Sequence, residues 1–444
     1  MPTSNECPPT EARTTRANHA VVAAAIGNVV EWFDFALYSY LATTIGKVFF
    51  PRESSTAQLL STFAVLAASF VFRPLGGIVL GSLGDRIGRR AVLSTTILLM
   101  TGSTFCVGLI PSYSSIGIGA PLLLVLLRMV QGFSTGGEYG SAATFIAEYA
   151  PARRRGMLSS LLEVGSLCAF GAGAAAATLI TLLVEPHQLV DWAWRLPFFV
   201  AAPLGIVAVY LRLRLDDTPV FKQAQESGAT SGTPLRDAVR RDWRAMLDLV
   251  GIVILYNGAF YTILTYLPTY LSNRLGISES TALSLSALGM LGMAVVVPFL
   301  GALSDRIGRK PVMIASCALF ITSSYLAFRL LERATPLSIA GGIVLLALPL
   351  AALQGIVAAT LPALFPTQVR CGAFSLGYNV STALFGGTAP LVMQFLITTT
   401  GSNSVPAYYL MAAAAIALVP ILRIPETAGA SMHTVAQPQL GRHE

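Results

Sequence analysis

Residues 81–90 read GSLGDRIGRR, and residues 301–310 read GALSDRIGRK, the second repeating the first at an offset of 220. A further echo follows each copy: Pro151 to Arg155 stands before Gly156, and Pro366 to Arg370 stands before Gly372. Two matched pairs in the same order mark a duplicated chain. Moving outward from these loops, the flanking sequence is apolar for about 20 residues at a time, the length a helix needs to cross a bilayer. Twelve such runs are present, near 20–48, 56–83, 91–111, 117–147, 157–184, 196–214, 246–271, 281–303, 312–331, 336–364, 373–399 and 406–423. Each motif falls after the second or fourth run of its half.

Composition agrees with this. Of 444 residues, 54% are hydrophobic and 11% charged, whereas soluble domains carry roughly a quarter charged residues. Mean hydropathy is +0.67. A soluble enzyme or a nucleic-acid binder is excluded. The net charge of +7 needs no anionic partner, because basic residues sort by loop. Even-numbered connections hold Arg86, Arg89 and Arg90, then Arg153 to Arg155, the linker arginines, Arg306, Arg309 and Lys310, and Arg370. Odd-numbered ones hold only Lys47, Arg52, Arg195, Arg274 and Arg333. The positive-inside bias then places both termini and the linker in the cytoplasm.

The expected organisation is a cytoplasmic tail (1–19), a six-helix bundle (20–214), a cytoplasmic linker (215–245), a second six-helix bundle (246–423) and a tail (424–444). The first twenty residues lack the apolar core of a signal peptide, so the first helix is expected to be retained. Cys7, Cys106, Cys168, Cys317 and Cys371 have no paired spacing and read as small core residues rather than disulfides. No nucleotide-binding, HExxH or paired-Cys motif occurs, so no cofactor or metal is expected and catalysis finds no support. The fold class is all-α membrane protein, with two bundles rocking about a site near the midplane.

The repeated loop resembles the signature of the major facilitator superfamily, G-x-x-x-D-R-x-G-R-R/K, and the resemblance spans residues 20–427. Within it the chain is similar to metabolite:proton symporters, through residues 27–35 (GNVVEWFDF), 73–77 (RPLGG) and 128–133 (RMVQGF). It most resembles the proline/glycine betaine osmolyte symporters, through 46–51 (GKVFFP), 103–113 (STFCVGLIPSY), 361–367 (LPALFPT) and 406–411 (PAYYLM). The resemblance implies a twelve-helix major facilitator fold in the cell inner membrane, a monomeric functional unit, and a small solute and a proton as partners. It also implies a cytoplasmic gate built from Asp85, Arg86, Arg89 and Arg90, from Asp305, Arg306 and Arg309, and from Glu148 beside Arg153–Arg155. An organic-acid:proton symporter is the alternative. A drug:proton antiporter is disfavoured, since 157–184 contains no Pro.

Ionisable side chains within a bilayer are costly and mark function or structural pairing. On helix 1, Asn28, Glu31, Asp34 and Tyr38 share one stripe. Asp34 is the preferred proton carrier, with Glu31 and Glu138 as the other acids. On helix 4, Arg128, Gln131, Thr135 and Glu138 share a face, while Gly132, Gly136 and Gly140 form a separate packing face. Arg128 has the planar fork that suits a solute carboxylate. The competing reading pairs it with Glu31, Asp34 or Glu138. Arg73 and Glu163 read as interhelical structural pairs. Helices 7–12 hold no acid away from their ends, so proton coupling is assigned to the first half. The second half offers Tyr256, Asn257, Phe260, Tyr261, Tyr378 and Asn379, which with Trp32 and Tyr38 form the expected solute contacts, aromatic faces holding an ammonium group.

Overall fold

The computed structural model describes residues 28–29, 31–51, 54–87, 89–213, 242–365 and 370–429. Twelve helical rods run through the described residues. The first, α1, covers 31–40 and Ala42–Phe49; α2 joins Ser55–Val71 to Arg73–Ile87; α3 is Arg89–Leu109; α4 joins Gly119–Thr135 to Glu138–Tyr149; α5 is Arg155–Leu183; α6 is Leu196–Leu213. In the second half α7 runs from Trp243–Phe260 through Tyr261–Tyr266 to Leu267–Leu275. It is followed by α8 (Glu279–Ile307), α9 (Arg309–Glu332) and α10 (Pro336–Thr360). Then come α11 (Arg370–Ser381, Thr382–Gly386 and Ala389–Thr400) and α12 (Val405–Arg423). Among the described residues ten of these rods are long and apolar enough to cross a membrane by themselves, and α3 contains a shorter apolar helix, Ser94–Leu109. The tails and most of the linker lie outside the described residues.

Most rods are apolar on all sides, since one face meets lipid and the other meets protein. Leu98, Leu183, Phe299 and Leu337 point outward, while Phe70, Trp194 and Phe320 are buried. Apolar spans of this kind do not tell which face is which, and here the sequence reading of the cysteines needs correction. Cys106 and Cys168 lie on exposed faces, and Cys317 is the buried one among the described cysteines.

Small residues set how closely the rods approach. A Cβ on Gly132 would collide with the carbonyl of Ser69, and one on Gly136 with that of Arg73, so α4 lies backbone against backbone on α2. That bears out the packing face expected for helix 4. Across the two halves, Gly156 of α5 meets Gly301 of α8 in the same manner: a Cβ at 156 would lie 2.6 Å from the carbonyl oxygen of Gly301.

Two departures from regular helix were not expected. Tyr261–Tyr266 of α7 and Thr382–Gly386 of α11 are wound as π-helix, a widening that is common at functional sites. The halves touch at both ends as well as in the middle. At the end bearing the repeated loops, Gly156 and Met157 donate backbone N–H bonds to Asp305 at 2.8 and 3.1 Å. At the opposite end the Tyr40 hydroxyl donates to the carbonyl of Leu264 at 2.7 Å, and Phe63 packs on Tyr266. The central side chains are therefore enclosed from both directions.

Candidate functional site

Four charged side chains near the middle of the bundle are almost fully buried: Glu31 is 2% exposed, Asp34 1%, and Arg73 and Arg128 0%. They form two ion pairs of different quality. One turn apart on α1, Glu31 and Asp34 face different helices, which separates the partners they reach.

Asp34 is tightly held. Arg128 Nη1 donates to its Oδ2 at 2.6 Å, and Gln131 Nε2 donates to its Oδ1 at 3.2 Å. Gln131 also donates to Thr104 at 2.9 Å. The Arg128 guanidinium lies 3.9 Å from the ring centroid of Tyr38, a cation–π contact. The Tyr38 hydroxyl donates to the carbonyl of Thr62 at 3.0 Å. All of these groups belong to α1–α4. A buried charge pair with short contacts and further hydrogen bonds is the arrangement that tolerates desolvation best.

Glu31 is held loosely. Its nearest cation is Arg73, at 3.5 Å, and neither carboxylate oxygen accepts a hydrogen bond. Nη1 and Nη2 of Arg73 are also without hydrogen-bond partners, while its Nε donates to Asn379 Oδ1 at 3.3 Å. Asn379 Nδ2 in turn donates to the carbonyl of Gly136 at 2.5 Å. This pair therefore sits on the seam between the halves, with α11 supplying one wall. Glu138, the first residue of the second segment of α4, is also buried.

Around the Glu31–Arg73 pair the aromatic residues gather. Trp32 lies 5.1 Å from Phe260 and 5.7 Å from Phe170, and Phe70 lies 5.3 Å from Tyr261, centroid to centroid. The Arg73 guanidinium is 5.3 Å from the Phe70 ring and 5.9 Å from Trp32. The Tyr261 hydroxyl is buried without a hydrogen-bond partner. Trp32 is fixed by its indole N–H, which donates to Asn28 at 2.9 Å, and Asn28 donates to Ser166 at 2.8 Å.

A third group ties the halves nearby. Glu163 accepts a 2.7 Å bond from the Tyr139 hydroxyl at Oε1 and another of 2.7 Å from Tyr256 at Oε2. Tyr139 stacks on Tyr378 at 4.4 Å. Glu163 thus joins α4 and α5 to α7, the interhelical tie expected of it, with tyrosine hydroxyls as its partners. Asn257 donates to Thr382 at 2.8 Å, pinning α7 to the π-turn of α11.

Of the residues singled out from sequence, Trp32, Phe260 and Tyr261 meet around Glu31, and Tyr38 meets Arg128. Tyr256, Asn257 and Asn379 are engaged in bonds within the protein. At the loop end, Asp305 binds the start of α5, as a carboxylate does at a helix N-terminus. Arg309, which lies 3.6 Å from Asp305, is directed within its own half and donates to the carbonyls of Ala359 and Thr427. Arg306 is exposed. The side chains of Asp85, Arg86, Arg89, Arg90 and Glu148 lie outside the described set. Phe70 and Phe170 were missed, although Phe70 stands three residues before Arg73 on one helical face.

A sequence profile of the Major Facilitator Superfamily matches residues 24–297 and 249–442. A proline/betaine transporter of Salmonella typhimurium strain LT2 is 41% identical over 418 residues, covering 92% of this chain and 83% of that one. The glycine betaine/proline/ectoine/pipecolic acid transporter OusA of Dickeya dadantii strain 3937 is 43% identical over 423 residues, covering 93% and 84%. Among solved structures, the xylose transporter XylE from E. coli, in a partially occluded inward-open conformation, superposes with a TM-score of 0.73. That match has 17% identity and covers 93% of this chain and 98% of the other, a likeness of fold.

Proposed function

This chain belongs to the major facilitator superfamily, and on that premise we propose that it imports a small zwitterionic solute together with a proton by alternating access. It is a multi-pass membrane transporter and not an enzyme. The solute class is that of its relatives, proline and glycine betaine, which carry a carboxylate and a secondary or quaternary ammonium. The working unit is a monomer in the inner membrane, with both termini and the repeated loops on the cytoplasmic side.

The observation that carries the proton assignment is the contrast between the two acids of α1. Asp34 already has a 2.6 Å cation and a hydrogen-bond donor. Glu31 has a cation at 3.5 Å and no hydrogen bond to either oxygen. A carboxylate without donors is the one that gains most from binding a proton in a dry site. Geometry therefore favours Glu31 over Asp34 as the proton carrier, and Asp34 with Arg128 as a structural pair inside the first bundle. Reorientation requires that the inward and outward forms bind proton and solute with different affinity, and a group on the seam meets that condition.

Proteoliposome uptake of radiolabelled glycine betaine and proline, driven by an imposed pH gradient, tests this function. Accumulation that collapses with the gradient supports it. Uptake unaffected by the gradient contradicts proton coupling, and displacement of both labels by 2-oxoglutarate or citrate would assign the solute to the organic acids.

A further inference from the structure

We infer that the solute seat is the Glu31–Arg73 pair with the rings of Trp32, Phe70, Phe260 and Tyr261, where the solute carboxylate replaces Glu31 on Arg73 and the ammonium lies against the rings. This rests on the zwitterion symport reading and names its site and its coupling step. Arg73 has two guanidinium nitrogens without hydrogen-bond partners in a fully buried position. Its fork meets Glu31 at 3.5 Å without a hydrogen bond, so a better-placed carboxylate can displace that acid. Arg128 is less suited, because the groups that hold it all come from the first bundle.

The rings come from both bundles. Trp32 and Phe70 belong to the first, Phe260 and Tyr261 to the second, and they meet at 5.1 and 5.3 Å. Separation of the bundles would part these pairs and expose a slot walled by aromatic faces, with the ion pair at its base. A methylated ammonium is attracted to such faces within about 6 Å. The second-bundle wall is also the part wound as π-helix. Gly387 allows Phe70 to lie directly on α11, and a Cβ on Gly386 would come within 2.7 Å of the Tyr261 ring. Glycine and π-turns let that wall approach and withdraw without side chains in the way.

Coupling then follows from exchange at one cation. The groups facing Glu31 are Arg73 from α2, Glu138 from α4, Tyr261 from α7 and Tyr378 from α11. Arg73 is the cation among them. When the solute carboxylate takes Arg73, Glu31 loses that counter-charge beside another acid, and one of its oxygens takes a proton from hydronium of the bulk solution, forming an O–H bond and releasing a neutral water. One proton enters for each solute, and no other bond is made or broken.

The test compares glycine betaine with tert-butylacetate, which has the same shape and carboxylate but carbon in place of the quaternary nitrogen. Binding is measured calorimetrically on the full chain in lipid nanodiscs. Wild-type protein is expected to prefer betaine by about ten-fold or more. Phe260→Leu should narrow that preference to about three-fold or less, and Arg73→Lys should weaken both ligands by about ten-fold. The wild-type comparison needs no variant to fold. Equal binding of the two ligands by wild-type protein, or an undiminished preference in Phe260→Leu, overturns the site. If wild-type protein binds tert-butylacetate but neither betaine nor proline, the zwitterion reading itself has failed, and the seat with it.

Discussion

Replacing Glu31 with Gln should strengthen solute binding while abolishing accumulation. Arg73 lies 3.5 Å from the Glu31 carboxylate, and at an effective dielectric of about 20 a unit pair at that distance is worth about 5 kcal/mol. Desolvation of the two charges offsets a large part of this. A solute carboxylate competing for Arg73 must overcome the remainder, roughly 1.5–3 kcal/mol, which converts to about ten- to hundred-fold in affinity. In Glu31→Gln that competition is gone. Betaine should bind about ten-fold or more tightly at pH 7 and with little dependence on pH. Wild-type affinity should rise up to ten-fold for each unit the pH falls, until Glu31 is protonated. Calorimetric titration between pH 5 and 8 reads both slopes, and proteoliposome counterflow checks that the variant still exchanges solute. Weaker binding in the variant, or the same pH slope as wild type, would refute the exchange of carboxylates on Arg73.

Three other outcomes follow from the packing. Asp34→Asn leaves Arg128 buried without its 2.6 Å counter-charge and should destabilise the fold by about 3–5 kcal/mol; adding Arg128→Gln should recover much of that loss in thermal unfolding, and a simple sum of the two effects would show they are not a pair. Gly156→Ala places a Cβ 2.6 Å from the carbonyl of Gly301 and 2.9 Å from Asp305 Oδ1. The strain of about 1–3 kcal/mol should raise the population open at the loop end about ten-fold or more, seen as longer spin-label distances there; unchanged distances would dismiss Asp305 as a latch. Glu426, beyond α12, accepts backbone N–H bonds from Arg309 and Lys310 at the start of α9 and from Thr427 and Ala428. Burial pushes its pKa up, but these four donors outweigh it and hold the group below the usual glutamate range. Its stabilisation is therefore complete at neutral pH and is lost as pH falls through that lowered value, so the difference in melting temperature between wild type and Glu426→Gln should shrink in acid, and a difference that is constant with pH would rule the tie out.

The duplication, the twelve apolar runs and the polar faces of helices 1 and 4 were readable because each depends on spacing along one strand of sequence. Arg128, Gln131 and Asp34 do meet, as those faces imply. What spacing does not carry is the height and rotation of one rod against another. Glu31 and Asp34 are equivalent acids in sequence, and only the packing of α2 and α4 gives Arg73 to one and Arg128 to the other. The same gap hid the partners of Glu163, two tyrosines that lie on different helices. It also hid the outward faces of Cys106 and Cys168, because rods apolar all round have no side that composition marks. The π-turns leave no trace in residue type.

Proton uptake on binding is the most direct test that Glu31 exchanges Arg73 for a proton. Betaine is added to the purified protein in weakly buffered solution near neutral pH, and the pH change is followed with an indicator. Wild-type protein should take up about one proton per betaine bound as saturation is reached, and Glu31→Gln should bind betaine with none. Proton uptake that persists in Glu31→Gln, or its absence in wild type, would contradict the assignment of the proton to Glu31.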